Sequence, residues 1–182
     1  MMLVLTLICA ASGFALSMVH KATAEPIEYQ IIKFVKEPAV KKVLKDTGYD
    51  NDPILDRKKI EIGVDDKGKP VELVIFPAIK AGEITAVAIE GKGKGFNGYI
   101  GVIAGITKDG TLLDIGITGH SETPGVGSKV EDESYTSQYK GLGAKGTVSV
   151  DGISGATYSS KGVVIAVNQA IQYVADYRKE IF

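Results

Sequence analysis

Residues 151–174, DGISGATYSSKGVVIAVNQAIQYV, join a loop of small residues to an amphipathic segment. Apolar side chains in the second half recur at i, i+4, i+7 and i+11, the spacing of one helix face. They are Val163, Val167, Ala170 and Val174, with Val164 and Ile171 beside them. Ser159 or Ser160 is placed to cap the start of this helix. The stretch therefore predicts a helix that closes the chain and packs its apolar face on a core.

Strand-like runs precede this helix and are separated by turn signals. They cover residues 59–64, 71–77, 82–90, 98–107 and 111–118, and residues 147–150 are a candidate for one more short strand. Asp65-Asp66-Lys67-Gly68 and Lys108-Asp109-Gly110 have the composition of hairpin turns, so most neighbouring strands should pair antiparallel. Residues 30–45 have helical spacing interrupted by Pro38, which predicts two short helical pieces. The predicted fold class is α+β, an antiparallel-rich sheet flanked by helices.

Composition excludes several classes of protein. The 182 residues include one cysteine, two histidines and no tryptophan, and the formal net charge is −1. These counts rule out a disulfide framework, a cysteine-held iron–sulfur cluster and a cysteine/histidine zinc site, and the charge gives no nucleic-acid footprint. An electron carrier with this composition would need an organic cofactor.

The N-terminal segment, residues 1–19, contains no charged residue. As a helix it would extend about 28 Å at ~1.5 Å per residue, close to the ~30 Å hydrocarbon core of a bilayer. A cleaved signal peptide is the alternative, since Ala22-Thr23-Ala24 resembles a cleavage site, but the apolar run is long and no basic segment precedes it. We therefore expect a transmembrane anchor over residues 1–21 and one domain over residues 22–182. Lysines after the anchor would place that domain in the cytoplasm by a simple count, which has little authority for long domains.

The loop before the closing helix is the candidate binding segment. Free N–H groups and the helix dipole favour a phosphate at a helix N-terminus, and Gly152 and Gly155 permit close approach of the backbone. A capped Ser/Thr-rich turn without a ligand explains the same residues equally well.

Three motifs together resemble the FMN-binding domain family, which includes the G subunit of the Rnf electron-transport complex and the C subunit of the sodium-pumping NADH:quinone reductase. They are Asp-Gly-Ile-Ser-Gly-Ala-Thr-Tyr-Ser-Ser at 151–160, His-Ser-Glu-Thr-Pro-Gly-Val-Gly at 120–127 and Gly-Lys-Gly-Lys-Gly-Phe-Asn-Gly at 91–98, the last resembling a Gly-rich turn. In that family the threonine of Ser-Gly-Ala-Thr carries FMN through a phosphoester that a flavin transferase installs. The resemblance implies that Thr157 is the attachment residue. The other cofactor-binding residues it suggests are Asp151, Ser154, Gly155, Ala156, Tyr158, Glu122 and Thr123.

Several of these residues have two readings. Glu122 would accept hydrogen bonds from the flavin ring edge or from loop amides, and Asp151 would form an Asx-type turn or position a transferase's metal. His120 is expected to be structural. Tyr158, beside the attachment residue, is the best stacking candidate; packing is the default for Tyr135 and Tyr139. Lys92 and Lys94 are expected at a solvated hairpin tip.

The resemblance implies a single-pass inner-membrane subunit, with its domain outside the cytoplasm, that carries electrons on covalent FMN. Its complex would oxidise ferredoxin, reduce NAD and move sodium ions or protons, and its partners would be the other subunits, membrane lipid and the flavin transferase. No catalytic residue, metal or nucleic-acid partner of its own is expected. The alternatives are the C subunit of the quinone reductase, a flavin-free interaction or sensor module, and a hydrolase. The hydrolase would have to use His120 and lacks a Gly-x-Ser-x-Gly elbow.

Overall fold

A computed structural model of the chain describes residues 2–64, 68 and 70–182. The chain opens with one helical stretch: α1 at Met2–Ile31, a π-helical turn at Ile32–Lys36, α2 at Glu37–Leu44 and a 3-10 turn at Lys45–Thr47. α1 is long and apolar enough to cross a membrane by its length and composition. The predicted break at Pro38 is wrong. Pro38 lies in the first turn of α2, where a helix tolerates the missing N–H. The π-helical turn just before α2 takes up the change in helical register.

Within the described residues the sheet has five strands in sequential order, and every neighbouring pair is antiparallel. Its strands are β1 at Lys58–Val64, β2 at Pro70–Lys80, β3 at Glu83–Lys94, β4 at Tyr99–Thr107 and β5 at Leu112–Gly119. The turn predicted at residues 108–110 is confirmed, with the Gly110 N–H donating to the Thr107 carbonyl at 2.9 Å. Residues 65–67 of the other predicted turn lie outside the described residues. The antiparallel-rich α+β fold is thus confirmed.

The first half of the glycine-rich segment at residues 91–98 is strand, and only the second half is turn. β3 continues to Lys94, and the turn is confined to residues 95–98, where the Gly95 N–H donates to the Gly98 carbonyl at 2.7 Å. Lys92 and Lys94 are exposed, as expected, but on β3 and not at a hairpin tip. The glycines between them allow a helix to lie against the strand.

That helix is α4 at Thr157–Asp176, followed by α5 at Arg178–Ile181. A Cβ added to Gly93 would lie 1.9 Å from the carbonyl oxygen of Gly162 on α4, so only glycine permits this approach. The connection from β5 to α4 contains a 3-10 turn at Gly127–Glu131, α3 at Glu133–Thr136 and a 3-10 turn at Ser137–Tyr139.

Two local predictions are wrong. Residues 147–150 form no strand, because the Asn168 side chain on α4 bonds both backbone groups of Val148, at 2.7 and 2.8 Å. Neither Ser159 nor Ser160 caps α4, which begins at Thr157 with Ala156 in the cap position. Both serine hydroxyls bond other partners inside the domain.

The sheet lies between two helical layers. α4 covers one face, where the buried cluster includes Val87, Ile89 and Val102, and α2 covers the other, where it includes Phe76, Ala88 and Ile103. Burying a valine, isoleucine or phenylalanine side chain contributes roughly 1.5–3 kcal/mol, so both layers stabilise the sheet. This packing fixes α4 and α2 against the sheet. The start of α4 is thereby held near the end of the sheet where the candidate site lies.

Candidate functional site

A pocket of about 160 Å³ lies where the β3–β4 turn, the loop after β5 and the start of α4 meet. All three elements come together at the end of the sheet where Lys94 of β3 pairs with Tyr99 of β4. The lining residues are Phe96, Glu122, Thr123, Val126, Gly127, Gly155, Ala156, Thr157, Tyr158 and Ser159.

Thr157 is the first residue of α4, and its side chain is exposed at the pocket. The cap residue Ala156 has no side chain that can accept a hydrogen bond, and no cap bond forms at this helix start. The backbone N–H groups of the first turn therefore point toward the pocket end without a side-chain partner among the described residues. A hydroxyl beside uncapped N–H groups at a positive helix end suits an esterified phosphate.

The loop before α4 is fixed from within. Gly155 has φ +80°, a conformation that glycine adopts without strain, and this turns the chain into the helix. The Ser160 hydroxyl accepts from the Ile153 N–H at 2.9 Å and donates to the Ala156 carbonyl at 3.0 Å. These bonds explain why Ser160 is buried and does not act as the cap.

Asp151 and Ser154 lie in this loop but do not line the pocket. The backbone of Asp151 pairs with the Gln138 side chain, whose oxygen accepts its N–H at 3.0 Å and whose amide donates to its carbonyl at 3.4 Å. The Asx-type turn, one of the two roles considered for Asp151, is not formed, because the Ile153 N–H that its carboxylate would accept donates to the Ser160 hydroxyl instead.

Glu122 is a buried carboxylate in the pocket wall, with 5% of its surface exposed. It accepts from the Ser159 hydroxyl at 2.5 Å, from the Asn97 N–H at 3.0 Å and from the Phe96 N–H at 3.2 Å. Burial alone raises the pKa of the Glu122 carboxyl. The bonds from Ser159 and the two amides, with nearby His120, outweigh burial and hold that pKa below its ordinary value. Of the two readings offered by the sequence, the one in which Glu122 binds loop amides is present in the structure.

His120 supports the same loop. Its Nδ1 accepts from the Glu122 N–H at 3.2 Å, and its Nε2 lies 3.1 Å from a carboxylate oxygen of Glu131. The following turn is closed by the Thr123 carbonyl, which accepts from the N–H groups of Val126 and Ser128, both at 3.2 Å. His120 thus bonds the loop through Nδ1, while its buried Nε2 lies near Glu131 without a hydrogen bond to a described residue.

Two aromatic rings border the pocket mouth. Phe96 and Tyr158 are 66% and 67% exposed, and their ring centroids are 6.3 Å apart at 46°. Tyr135 and Tyr139 lie instead in the core, edge to face at 5.8 Å, where the Tyr135 hydroxyl donates to the Ser160 carbonyl at 3.1 Å. Of the three tyrosines considered for stacking, only Tyr158 is at the pocket.

The N-terminal helix leaves the domain at the pocket end of the sheet. α2 packs on the sheet at two glycines. Near the C-terminal end of α2, Val43 lies against Gly105 of β4, and nearer its start, Ala39 lies against Gly116 of β5. Just before α2, Lys36 reaches Glu90 with its Nζ at 2.8 Å, and the Thr118 hydroxyl donates to the other Glu90 oxygen at 2.7 Å. These contacts move toward the strand ends that carry the pocket, so α1 continues beyond that end.

Six residues proposed from the sequence line the pocket: Glu122, Thr123, Gly155, Ala156, Thr157 and Tyr158. Phe96, Val126, Gly127 and Ser159 line it as well and were not proposed. Phe96 and Gly127 carried a signal, because both stand within motifs used for the resemblance. Val126 and Ser159 stand within these motifs as well, but nothing local signalled the bond from Ser159 to Glu122, because the two residues are 37 positions apart.

Comparison with known proteins finds one matching domain family and a set of relatives with similar names. Residues 95–172 match the FMN-binding domain. The chain is 35% identical over 119 residues to the G subunit of the ion-translocating oxidoreductase complex of Methanosarcina acetivorans, an alignment that covers 62% of this chain and 63% of the relative. It thus matches less than two thirds of that relative's length.

A second relative aligns over nearly all of the chain. The G subunit of the Na(+)-translocating ferredoxin:NAD(+) oxidoreductase complex of Acetobacterium woodii is 29% identical, over 97% of this chain and 91% of that protein. Among solved structures, Shewanella oneidensis NqrC superposes with a TM-score of 0.54 at 24% identity, covering 65% of this chain and 64% of that chain. That likeness shows a shared fold.

Proposed function

Because residues 95–172 of this chain match the FMN-binding domain, we propose that the chain is a membrane-anchored electron-transfer subunit carrying FMN on Thr157. The relatives that align along most of its length are G subunits of ion-translocating oxidoreductase complexes. The chain would serve the same kind of complex, which couples ferredoxin and NAD chemistry to the movement of sodium ions or protons. Its partners are the other subunits, surrounding lipid and the flavin transferase.

The observation that carries the proposal is the position of Thr157. Its exposed hydroxyl stands at the first residue of a 20-residue helix that has no side-chain cap, at the edge of the pocket. The phosphate of FMN esterified there would meet uncapped N–H groups and the positive end of the helix dipole. The oxidation and reduction are supplied by the flavin, and the protein supplies tethering, orientation and electrostatics.

The pocket walls suit part of a flavin. Phe96, Val126 and Tyr158 offer apolar and aromatic surface, and Glu122 and Thr123 offer polar atoms. A pocket of about 160 Å³ is smaller than the ~300–1,000 Å³ of sites that enclose a ligand. Much of the flavin would therefore lie at the domain surface, where an electron donor or acceptor can approach it.

The attachment is tested by intact mass and peptide mapping of the full chain co-expressed with a flavin transferase. We expect a gain of one FMN less one water on the peptide that holds Thr157. Thr157→Val removes the hydroxyl and keeps the shape, so the gain should disappear while the protein stays folded. Thr147→Val, which removes an exposed threonine hydroxyl outside the pocket, should keep it. A gain that persists in Thr157→Val would refute the assignment.

We infer the division of the chain, an anchor over residues 1–21 and an extracytoplasmic domain over residues 22–182, from the apolar helix together with the family resemblance. The side of the membrane can be measured by thiol labelling. Cys9, the single cysteine of the sequence, lies within the apolar segment, and Ser149 is exposed on the domain. A membrane-impermeant maleimide should label the Ser149→Cys protein in cells whose outer membrane has been opened and whose inner membrane is intact. Labelling only after the cells are lysed would show that the domain lies on the cytoplasmic side.

A further inference from the structure

Glu122 is an unusual charge for a pocket wall because its described contacts include no lysine or arginine. Its two oxygens accept from a hydroxyl and two backbone amides, and His120 is the titratable side chain that acts on it electrostatically. A buried carboxylate normally requires such donors to stay ionised. Hydrogen-bond dipoles hold the charge in place but neutralise it less fully than a cation in an ion pair would.

The three donors come from two other elements of the site. Phe96 and Asn97 belong to the β3–β4 turn, and Ser159 belongs to the first turn of α4, two residues after Thr157. The carboxylate therefore lies beside the proposed attachment point, in a wall shared by all three pocket elements. Charge in such a partly desolvated position acts more strongly on its surroundings than charge on the open surface.

We propose that Glu122 sets the redox potential of the flavin, acting as a fixed negative charge that makes reduction less favourable. This inference rests on the proposed function. Reduction adds electrons to the flavin ring, and a nearby negative charge opposes that gain, which lowers the midpoint potential. The carboxylate is then a tuning residue for the electron carrier, in addition to joining the loops of the pocket.

The test is a spectroelectrochemical titration of the flavin in the full chain, comparing wild type with Glu122→Gln and Glu133→Gln. Glu122→Gln should shift the midpoint potential to a more positive value. Glu133→Gln removes an exposed carboxylate on α3 and should match wild type, because solvent and salt screen that charge. The shift in Glu122→Gln should also persist at high salt, as expected for a buried group.

Ser159→Ala separates charge from structure. It deletes one hydrogen bond to Glu122 and disturbs the same junction, but leaves the carboxylate in place with one compensating dipole fewer. Its potential should be more negative than that of wild type. A structural cause would move both variants in the same positive direction, and that result would overturn the inference.

Each failure has its own signature. Wild-type protein without the FMN mass would refute the proposed function itself. Wild type that carries FMN but has the same potential as Glu122→Gln would refute only the role of Glu122. Should Glu122→Gln fail to take up FMN, Ser159→Ala decides alone: a more negative potential supports the role of the charge, and an unchanged or more positive one overturns it.

Discussion

Replacing Gly93 with alanine tests the contact that positions α4. The new Cβ would lie 1.9 Å from the Gly162 carbonyl oxygen and 2.8 Å from the Ala166 nitrogen. Both are backbone atoms, so no side-chain rotation can relieve the overlap. To restore an ordinary contact near 3.4 Å, α4 must move away from β3 by about 1.5 Å.

The energetic consequence follows from close packing. Overpacking a core usually destabilises a protein by about 1–3 kcal/mol, occasionally by more. We expect Gly93→Ala to reach about 3 kcal/mol, because an entire buried helix face has to shift. For a chain of this size, that corresponds to a fall of roughly 6–12 °C in the unfolding midpoint.

The assay is thermal unfolding of the full chain in detergent, followed by circular dichroism, with flavin incorporation measured in parallel. Gly146→Ala is the matched control, since nothing lies within 4 Å of its added Cβ. Its free energy of unfolding should differ from that of wild type by no more than an ordinary surface change, about 0.5 kcal/mol in either direction. Incorporation should fall in Gly93→Ala, because the shift carries Thr157 away from the loop of Glu122. A Gly93→Ala protein with the midpoint of wild type would show that α4 does not rest on β3 as described.

Two further predictions concern buried polar groups. The pKa of Glu122 is lowered on folding, so its contribution to stability is present above about pH 4.5 and is lost as pH falls through its folded-state pKa. The difference in free energy of unfolding between wild type and Glu122→Gln, measured by denaturant unfolding of the flavin-free protein, should therefore become smaller below pH 4.5. A difference that does not change with pH would contradict an ionised Glu122. Tyr135→Phe removes the hydroxyl that pairs with Tyr139 at 3.1 Å and with the Ser160 carbonyl, which should destabilise the protein by about 1–3 kcal/mol. Exposed Tyr99→Phe is its control, and equal midpoints for the two variants would show that the buried hydroxyl contributes nothing.

The sequence predicted the elements whose signal is local. α4 repeats its apolar residues at helical spacing over more than three turns, and the strands lie between clear turn residues. The sequence also placed Thr157 where the loop enters this helix, although the helix begins at Thr157 and not after a cap at Ser159 or Ser160. In each case the residues that determine the structure lie within a few positions of one another.

The errors arose where distant residues decide the structure. Residues 91–94 look like a turn until α4, some 70 positions later, is placed against them. The Val148 backbone looks like a strand until Asn168 supplies its two hydrogen bonds. Glu122 has three donors that lie 25 to 37 positions away. No local pattern reports contacts of this separation.

With residues 1–21 as the proposed anchor, the helical stretch between the anchor and the domain would act as a spacer of defined length. Residues 22–31 extend α1 past the proposed anchor, and ten helical residues at ~1.5 Å each span about 15 Å. A flexible linker of ten residues would have a similar average length, roughly 17 Å, but a broad distribution of distances and orientations. Clamped to the sheet through Lys36 and Glu90, the helix would instead hold the pocket at one height above the bilayer, facing it. If the flavin exchanges electrons with two partners, either the flavin would move on its phosphate tether or the partners would move. Movement of the whole domain would contribute less.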